Sequence, residues 1–181
     1  MTNPIQNRRL NALAEKMKKG DKGAAEEIFN NFSPQIFRFL LSRLANREIA
    51  EDLTQDIFFK VVRKIETFDK KSGNFSTWLW QIARNSLIDY YREKKTVPLS
   101  DFLEETKNIP DENNNLKARI EAREILSAIK NFSPEDQEIF TLRYVSDLSY
   151  RDISKLVGKT EGSLRVIIHR INNKLREIIN G

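Results

Sequence analysis

The sequence predicts an all-α protein of two small helical domains joined by a flexible linker. Apolar residues recur at intervals of three and four along most of the 181 residues, which is the period of amphipathic helices. Alternating runs of β-branched residues are too short to predict a sheet. The stretch 96–116 breaks the helical pattern, so we expect one domain over residues 1–95 and a second over residues 117–181.

Two caps organise the first half of the predicted N-terminal domain. Ser33-Pro34 places a hydroxyl cap before a proline at the first helical position, which predicts a helix that begins there and buries apolar residues of 36–44. Asn46 is the expected cap of a second helix, which has an apolar stripe and an acidic outer face. The stripe consists of Ile49, Leu53, Ile57, Phe58, Val61, Val62 and Ile65.

A polar loop separates this helix from the third one. Residues 69–74 combine charged, small and glycine residues, which is typical of a loop. Ser76 follows as the expected cap of a third helix from Thr77 to about Lys95.

The segment from Lys60 to Lys95 interleaves aromatic and basic side chains, with nine basic residues against four acidic ones. Aromatic rings stack on unpaired bases while lysine and arginine follow phosphates, so this pattern suits a melted DNA strand. The alternative is ordinary packing, because Trp78, Leu79 and Ala83 also have core spacing. We expect about half of the aromatic residues to be buried in either case.

The predicted linker differs in charge from the segments on either side. Pro98 and Pro110 interrupt it, and five acidic residues stand against Lys107 alone. We expect an acidic tether that avoids DNA phosphates or lies in a basic channel.

The C-terminal domain is predicted to end in a helix-turn-helix. A helix with Ile120, Ile125, Leu126 and Ile129 precedes another that Ser133-Pro134 starts and Tyr144 ends. Ser149 then caps a short helix, Gly158 supplies a residue able to adopt positive φ, and a final helix covers 161–179. In its pattern, Leu164 and Ile167 are the expected anchors of the second helix.

The second helix of such a motif lies in the major groove. Residues 158–181 carry five basic side chains against Glu161 and Glu177, which suits that position. The alternative is a small helical domain with a solvated charged face. His169 is the single histidine of the chain, so it cannot belong to a multi-histidine metal site.

Short motifs occur in a fixed order along both predicted domains. The first domain contains Ala50-Glu51-Asp52-Leu53-Thr54-Gln55-Asp56-Ile57-Phe58, Phe75-Ser76-Thr77-Trp78-Leu79 and Ile82-Ala83-Arg84-Asn85. The second contains Phe132-Ser133-Pro134-Glu135, Leu142-Arg143-Tyr144, Leu148-Ser149-Tyr150, Glu161-Gly162-Ser163 and His169-Arg170. These motifs resemble regions 2 and 4 of extracytoplasmic-function (ECF) sigma factors of the sigma-70 family, over residues 28–178. The linker stands where that family lacks a region 3 domain.

The resemblance implies a sigma factor that binds core RNA polymerase and directs it to promoters, without catalytic residues, cofactor or metal of its own. The helix that docks to the clamp of the largest subunit would carry Asp52, Leu53, Gln55, Asp56 and Phe58. Capture of the −10 element, with one base flipped from the stack, would involve Lys70, Lys71, Asn74, Trp78, Arg84, Asn85, Asp89 and Arg92. The −35 element would be bound by Arg143, Ser163, Arg165, His169, Arg170 and Lys174.

By the same resemblance, further partners would be the flap of the second-largest polymerase subunit and an anti-sigma factor. Val166 and Ile167 depart from the family pattern, which often has a small polar residue and a basic residue there. This departure leaves DNA binding as expected but removes the basis for naming the −35 bases.

Two other classes of function stay open from the residues. A stand-alone helix-turn-helix regulator with an N-terminal sensor bundle needs a ligand pocket and a dimer surface, and it does not need an acidic docking helix. An enzyme is a weaker alternative, in which Asp52 and Asp56 at i,i+4 spacing bind a metal or share acid-base work. No glycine-rich phosphate loop or Ser/His/Asp set accompanies them.

The N-terminus and the hydropathy of the chain predict its location. Residues 1–20 are polar and mixed, unlike a signal peptide. No apolar run approaches the ~20 residues that span a bilayer. The absence of cysteine suits a reducing compartment, so we expect a cytoplasmic protein that does not insert into a membrane.

Overall fold

The computed structural model describes residues 4–93, 125, 128–129 and 131–180. The regular structure of these residues is entirely helical, which confirms the predicted fold class. The chain divides into two compact units, Met1–Glu105 and Thr106–Gly181. The predicted linker 96–116 lies outside the described residues.

The helices of the first unit, in chain order, are α1 (Pro4–Lys18), α2 (Lys22–Leu44), α3 (Arg47–Lys64), a short 3₁₀ helix (Ile65–Thr67) and α4 (Phe75–Glu93). Those of the second unit are α5 (Pro134–Tyr144), α6 (Tyr150–Val157) and α7 (Glu161–Asn180). Of the helix expected around 120–129, only Ile125, Ala128 and Ile129 are described, and all three are helical.

Helix α2 begins twelve residues earlier than Ser33-Pro34 predicts, at Lys22. Asp21 caps it, because a side-chain oxygen accepts a hydrogen bond from the backbone N–H of Ala24 at 3.0 Å. The helix continues through Pro34, so the predicted start is wrong. Pro34 is exposed, and buried residues on both sides of it offset the backbone hydrogen bond that proline removes.

Helix α3 has the predicted start, since Asn46 accepts a hydrogen bond from the N–H of Ile49 at 2.8 Å. Its buried face is narrower than the predicted stripe. Val62 is 55% exposed, and Phe58 is only half-buried. The outer face of α3 is therefore partly apolar as well as acidic.

Helix α4 begins at Phe75, two residues before the predicted start. Ser76 is buried inside the helix, so its assignment as the cap is wrong. A residue far away in the sequence caps the first turn instead: Asn11 of α1 accepts a hydrogen bond from the N–H of Phe75 at 2.9 Å. Residues 69–74 form the predicted loop.

Helix α1 was not expected from the sequence. It packs against α2, α4 and the 3₁₀ helix. Its buried residues are Leu10, Leu13, Ala14 and Met17, spaced at three and four. Ile28, Phe39 and Trp80 are also buried in the core of this unit.

The second unit follows the predicted helix boundaries closely. Ser133 caps α5 and Ser149 caps α6, each by accepting a backbone N–H three residues later. Gly158 ends α6 with a φ of 73°, as the turn requires. Of the two predicted anchors of α7, Leu164 is buried but Ile167 is only half-buried, and Ile168 is buried instead.

Candidate functional site

The five residues predicted on α3 for polymerase binding do not share one face. Asp52, Gln55 and Asp56 are exposed along the outer side of the helix. Leu53 is 8% exposed and belongs to the core. The ring of Phe58 packs edge-on against that of Phe29, with ring centroids 4.8 Å apart. We call the exposed residues Asp52, Gln55 and Asp56 the acidic strip. The half-buried Phe58 lies beside it on the same helix.

A cleft of about 340 Å³ lies between α2 and α3 beside this strip. Pro34, Phe37 and Arg47 are among the residues that line it, together with Gln55. The guanidinium of Arg47 lies 5.6 Å from the ring centre of Phe37 and pairs with Glu51 at 2.7 Å. The exposed Pro34, which interrupts the hydrogen bonding of α2, therefore borders the same surface as the acidic strip.

The loop over residues 69–74 is ordered by Asp69. One carboxylate oxygen accepts the backbone N–H of Lys71 at 3.0 Å, and the other accepts the hydroxyl of Ser72 at 2.8 Å. The hydrogen bond from Lys71, followed by that from Ser72, lowers the pKa of the Asp69 carboxyl below its usual 3.8. The ammonium groups of the exposed Lys70 and Lys71 therefore stand on a defined turn.

Helix α1 holds both ends of this loop. Asn11 accepts the N–H of Phe75 where the loop enters α4. At the other end, Lys18 donates to the backbone carbonyl of Phe68, and its ammonium lies 5.6 Å from the centre of the Phe68 ring. Local sequence pattern predicts neither contact, because each partner is fifty or more positions away.

An aromatic cluster stands at the same place. The rings of Phe68, Phe75 and Trp78 contact one another with centroid distances between 5.4 and 5.7 Å. Phe68 and Phe75 are buried, whereas Trp78 is half-buried. Trp80 is fully buried against Phe39. Of the two tryptophans, Trp78 is thus the one with surface available to a base.

The remaining residues predicted for the −10 element lie along α4 and the end of the loop. Asn85 accepts a hydrogen bond from the Gln81 side chain at 2.9 Å, and Asp89 pairs with Arg92 at 3.3 Å. Both pairs are exposed. Arg84 and Asn74 are half-buried. The structure therefore places the predicted set around one end and one side of α4.

The three arginines predicted for the −35 element have partners inside their own unit. Arg170 donates two hydrogen bonds to the carboxylate of Asp136, at 2.8 and 2.9 Å. The guanidinium of Arg165 lies 4.6 Å from the centre of the Tyr150 ring and 3.8 Å from Glu161. Arg143 donates to the carbonyl of Leu148 at 3.2 Å. The contacts of Arg170 and Arg165 connect α7 to α5 and α6, and that of Arg143 joins α5 to the turn before α6. The sequence did not predict this role.

Ser163, His169 and Lys174 are exposed on α7. The N–H of Ser163 donates to the hydroxyl of Thr160 at 3.2 Å, which caps the first turn of the helix. The amide of Asn173 lies 3.4 Å from Nδ1 of His169, and Lys174 lies 5.9 Å from the ring centre of Phe132. The available polar groups thus run along the outer side of α7.

Two general properties of the described residues bear on the alternatives. Within residues 4–93 and 131–180 no three histidine, cysteine or acidic side chains are grouped so as to hold a metal ion. No helix in the described part of the chain has the length and apolar character to cross a bilayer.

Comparison with known proteins gives matches over both units. The family model for sigma-70 region 2 matches residues 28–97, and that for sigma-70 region 4 matches residues 122–175. The ECF RNA polymerase sigma-E factor of Haemophilus influenzae is 30% identical, over 93% of this chain and 96% of that protein. The ECF sigma factor BldN of Streptomyces coelicolor is 25% identical over 94% of this chain, and the chain spans 66% of its length.

A solved structure has a similar fold. It contains the sigma factor RpoE of Bartonella quintana in complex with the anti-sigma factor NepR. The match has a TM-score of 0.69 and 25% sequence identity, and it covers 86% of this chain and 96% of that one.

Proposed function

We propose different tasks for the two units of this chain, which belongs to the ECF family of RNA polymerase sigma factors. The first unit binds core polymerase and captures the −10 element, and the second unit binds the −35 element. As a sigma factor it is a promoter-recognising subunit of RNA polymerase. The observation that carries the division is the separation of surfaces: an acidic strip and an aromatic-basic loop in the first unit, and a helix-turn-helix in the second. We propose residues 1–95 and 117–181 as the two domains.

In the first unit, α3 docks to the clamp of the largest polymerase subunit through Asp52, Gln55 and Asp56. The exposure of these side chains supports this role, since exposed carboxylates are accessible to basic groups of a partner. Phe58 contributes the exposed part of its ring. Leu53 contributes from the core, where it holds α3 in place.

The loop and α4 capture the −10 element. Lys70 and Lys71 meet phosphates of the non-template strand, and the half-buried Trp78 supports the stack beside a flipped base. Asn74, Arg84, Asn85, Asp89 and Arg92 complete this surface. The packing of Trp78 on Phe68 and Phe75 supports the proposal. These contacts fix the position of the indole ring, so less conformational entropy is lost when a base stacks on it.

The second unit binds the −35 element through α7. Ser163, His169 and Lys174 supply polar contacts from the outer face. Arg143, Arg165 and Arg170 contribute both to the fold and to binding, since each has an internal partner and Arg165 and Arg170 remain largely exposed. The flap of the second-largest subunit is the expected polymerase contact of this unit.

An anti-sigma factor is the proposed regulator. The supporting observation is that the similar sigma factor RpoE of Bartonella quintana is found in complex with the anti-sigma factor NepR. Such a partner would hide the surfaces that contact polymerase or DNA.

Promoter selection tests the proposed function as a whole. The full chain is combined with core polymerase, and transcribed promoters are selected from a random DNA library. We expect two conserved elements with a fixed spacing, together with permanganate-reactive thymines at the downstream element. Selection of one inverted repeat that the chain binds without core polymerase would support the regulator alternative instead.

A further inference from the structure

Val166 is an apolar residue on the outermost face of α7. The buried stripe of this helix contains Leu164, Ile168 and Ile171. Each residue of an α-helix turns about 100° around the axis, so Val166 lies nearly opposite Leu164. Its side chain is 70% exposed. Val166 therefore occupies the centre of the face that a recognition helix turns toward DNA.

Stability within the unit does not account for this valine. An exposed side chain contributes little burial energy, and β-branched valine forms helices less well than alanine. Its position is near the N-terminal end of α7, one turn beyond Ser163, which is the part of a recognition helix that meets base edges. Val166 is thus not needed for packing, and its position makes it available to a partner that contacts this face.

The arginines next to Val166 in α7 are engaged in contacts within the unit, which leaves the valine more prominent on the outer face. Arg165 stacks on Tyr150, and Arg170 is held by two hydrogen bonds to Asp136. Both guanidinium groups are therefore drawn toward α5 and α6. Ser163 and His169, at three residues before and after, flank the valine on the outer face.

The chemistry of the major groove restricts what an exposed valine can recognise. Every base pair presents hydrogen-bond donors or acceptors there, and covering them with an alkyl group costs free energy. Thymine alone also presents a methyl group, on C5. Contact between this methyl group and valine buries apolar surface on both molecules, which is favourable.

We propose that Val166 is a specificity-determining residue that contacts the 5-methyl group of one thymine in the −35 duplex. This inference rests on the proposed function of α7 as the recognition helix.

Deoxyuridine substitution tests the proposal, because deoxyuridine lacks only the methyl group of thymidine. Each thymine of the selected −35 element, on either strand, is replaced singly, and holoenzyme affinity is measured by competition. We expect one position at which wild-type holoenzyme loses about fourfold in affinity, the value of one buried methyl group. Holoenzyme with Val166→Ala should bind the two DNAs equally at that position. Val166→Ile, which retains the branched apolar surface, should keep the preference.

Ile178→Ala is the matched control. Ile178 is also an exposed apolar residue of α7, at 54% exposure, but it lies about 18 Å further along the axis. Its variant should keep the fourfold preference, and circular dichroism should show unchanged helix content for all three variants.

Three results would overturn the proposal. They are a −35 element without thymine, a wild-type holoenzyme indifferent to every deoxyuridine, and an undiminished preference in Val166→Ala. Failure of the underlying function is distinct, since the footprint of the holoenzyme would then not include the −35 duplex at all.

Discussion

The two units position their functional side chains by different kinds of contact. In the first unit, the loop over 69–74 is held at its ends by Asn11 and Lys18, which lie 64 and 50 positions away from their partners. In the second unit, Arg143 pairs with groups four or five positions away, and Arg165 contacts both Glu161, four positions away, and Tyr150, fifteen positions away. The first surface therefore depends on the packing of α1, whereas the second depends on local caps and turns together with contacts from α7 to α5 and α6.

The largest expected effect concerns the acidic strip of α3. Its side chains are exposed, so their replacement should change core polymerase binding without changing the packing of the first unit. Asp52→Arg with Asp56→Arg should weaken binding to core polymerase by at least about a hundredfold, since like charges then face the basic partner. Both side chains are exposed, so helix content and thermal stability should be unchanged. Affinity is measured by fluorescence anisotropy of labelled protein with core polymerase.

The matched control for this reversal is Glu26→Arg with Glu66→Arg. These two exposed carboxylates lie outside the strip, and the control changes the net charge by the same amount. It should bind core polymerase as the wild type does. Equal weakening by both double variants would indicate a general charge effect and would contradict the assignment of α3.

The pair Arg170–Asp136 is a long-range contact of the second unit, 34 positions apart in the chain, and its variants separate folding from DNA binding. Asp136 is buried, so Arg170→Ala leaves a buried carboxylate without the guanidinium that donates to both of its oxygens and should cost about 1–3 kcal/mol of unfolding free energy. Urea denaturation of Arg170→Ala, Asp136→Ala and the double variant measures this loss of unfolding free energy. The double variant should be no less stable than Arg170→Ala.

DNA binding by the same variants sharpens the comparison. If Arg170 acts through Asp136 alone, then Arg170→Ala and Asp136→Ala weaken binding to the −35 duplex equally. A larger loss in Arg170→Ala, by about 1–3 kcal/mol, would show that the guanidinium also reads a base. Arg165→Ala serves as the reference, since Arg165 contacts the half-buried Tyr150 and the exposed Glu161 rather than a buried carboxylate.

These contrasts explain which features the sequence could predict. Ser133, Asn46 and Ser149 act on N–H groups three residues later, so their capping roles follow from local pattern. Pro34 and Ser76 resemble helix starts but lie inside helices, because burial along α2 and α4 outweighs local preference. The contact of Asn11 with Phe75 has no local signal, and neither does the pairing of Arg170 with Asp136.

The long-range cap of α4 should have a moderate effect. Asn11→Ala removes the acceptor for the Phe75 N–H and should cost about 1 kcal/mol of stability, the usual value of a helix cap. Because the same contact fixes the end of the loop, promoter opening should fall further than core binding does. Permanganate reactivity at saturating holoenzyme measures opening, and anisotropy measures binding.

Asn11→Asp separates positioning from mere stability. Aspartate keeps the acceptor oxygen and adds a charge that suits a helix N-terminus, so opening should be restored. Asn7→Ala, one turn earlier in α1, is the matched control and should leave opening unchanged. Opening that stays normal in Asn11→Ala would mean that the loop holds its position without α1.

The smallest expected effect concerns the loop itself, which is ordered by local contacts although its ends are not. Hydrogen bonds from Lys71 and Ser72 lower the pKa of Asp69 in the folded state. A lowered folded pKa means that the contribution to stability is present above the unfolded value of 3.8 and is lost as pH falls through the folded value. The amide proton of Lys71 should therefore shift and exchange faster only in strongly acidic solution. Asp69→Asn should remove that pH dependence while α4 stays folded, and an unchanged titration of the Lys71 amide in Asp69→Asn would show that another group orders the turn.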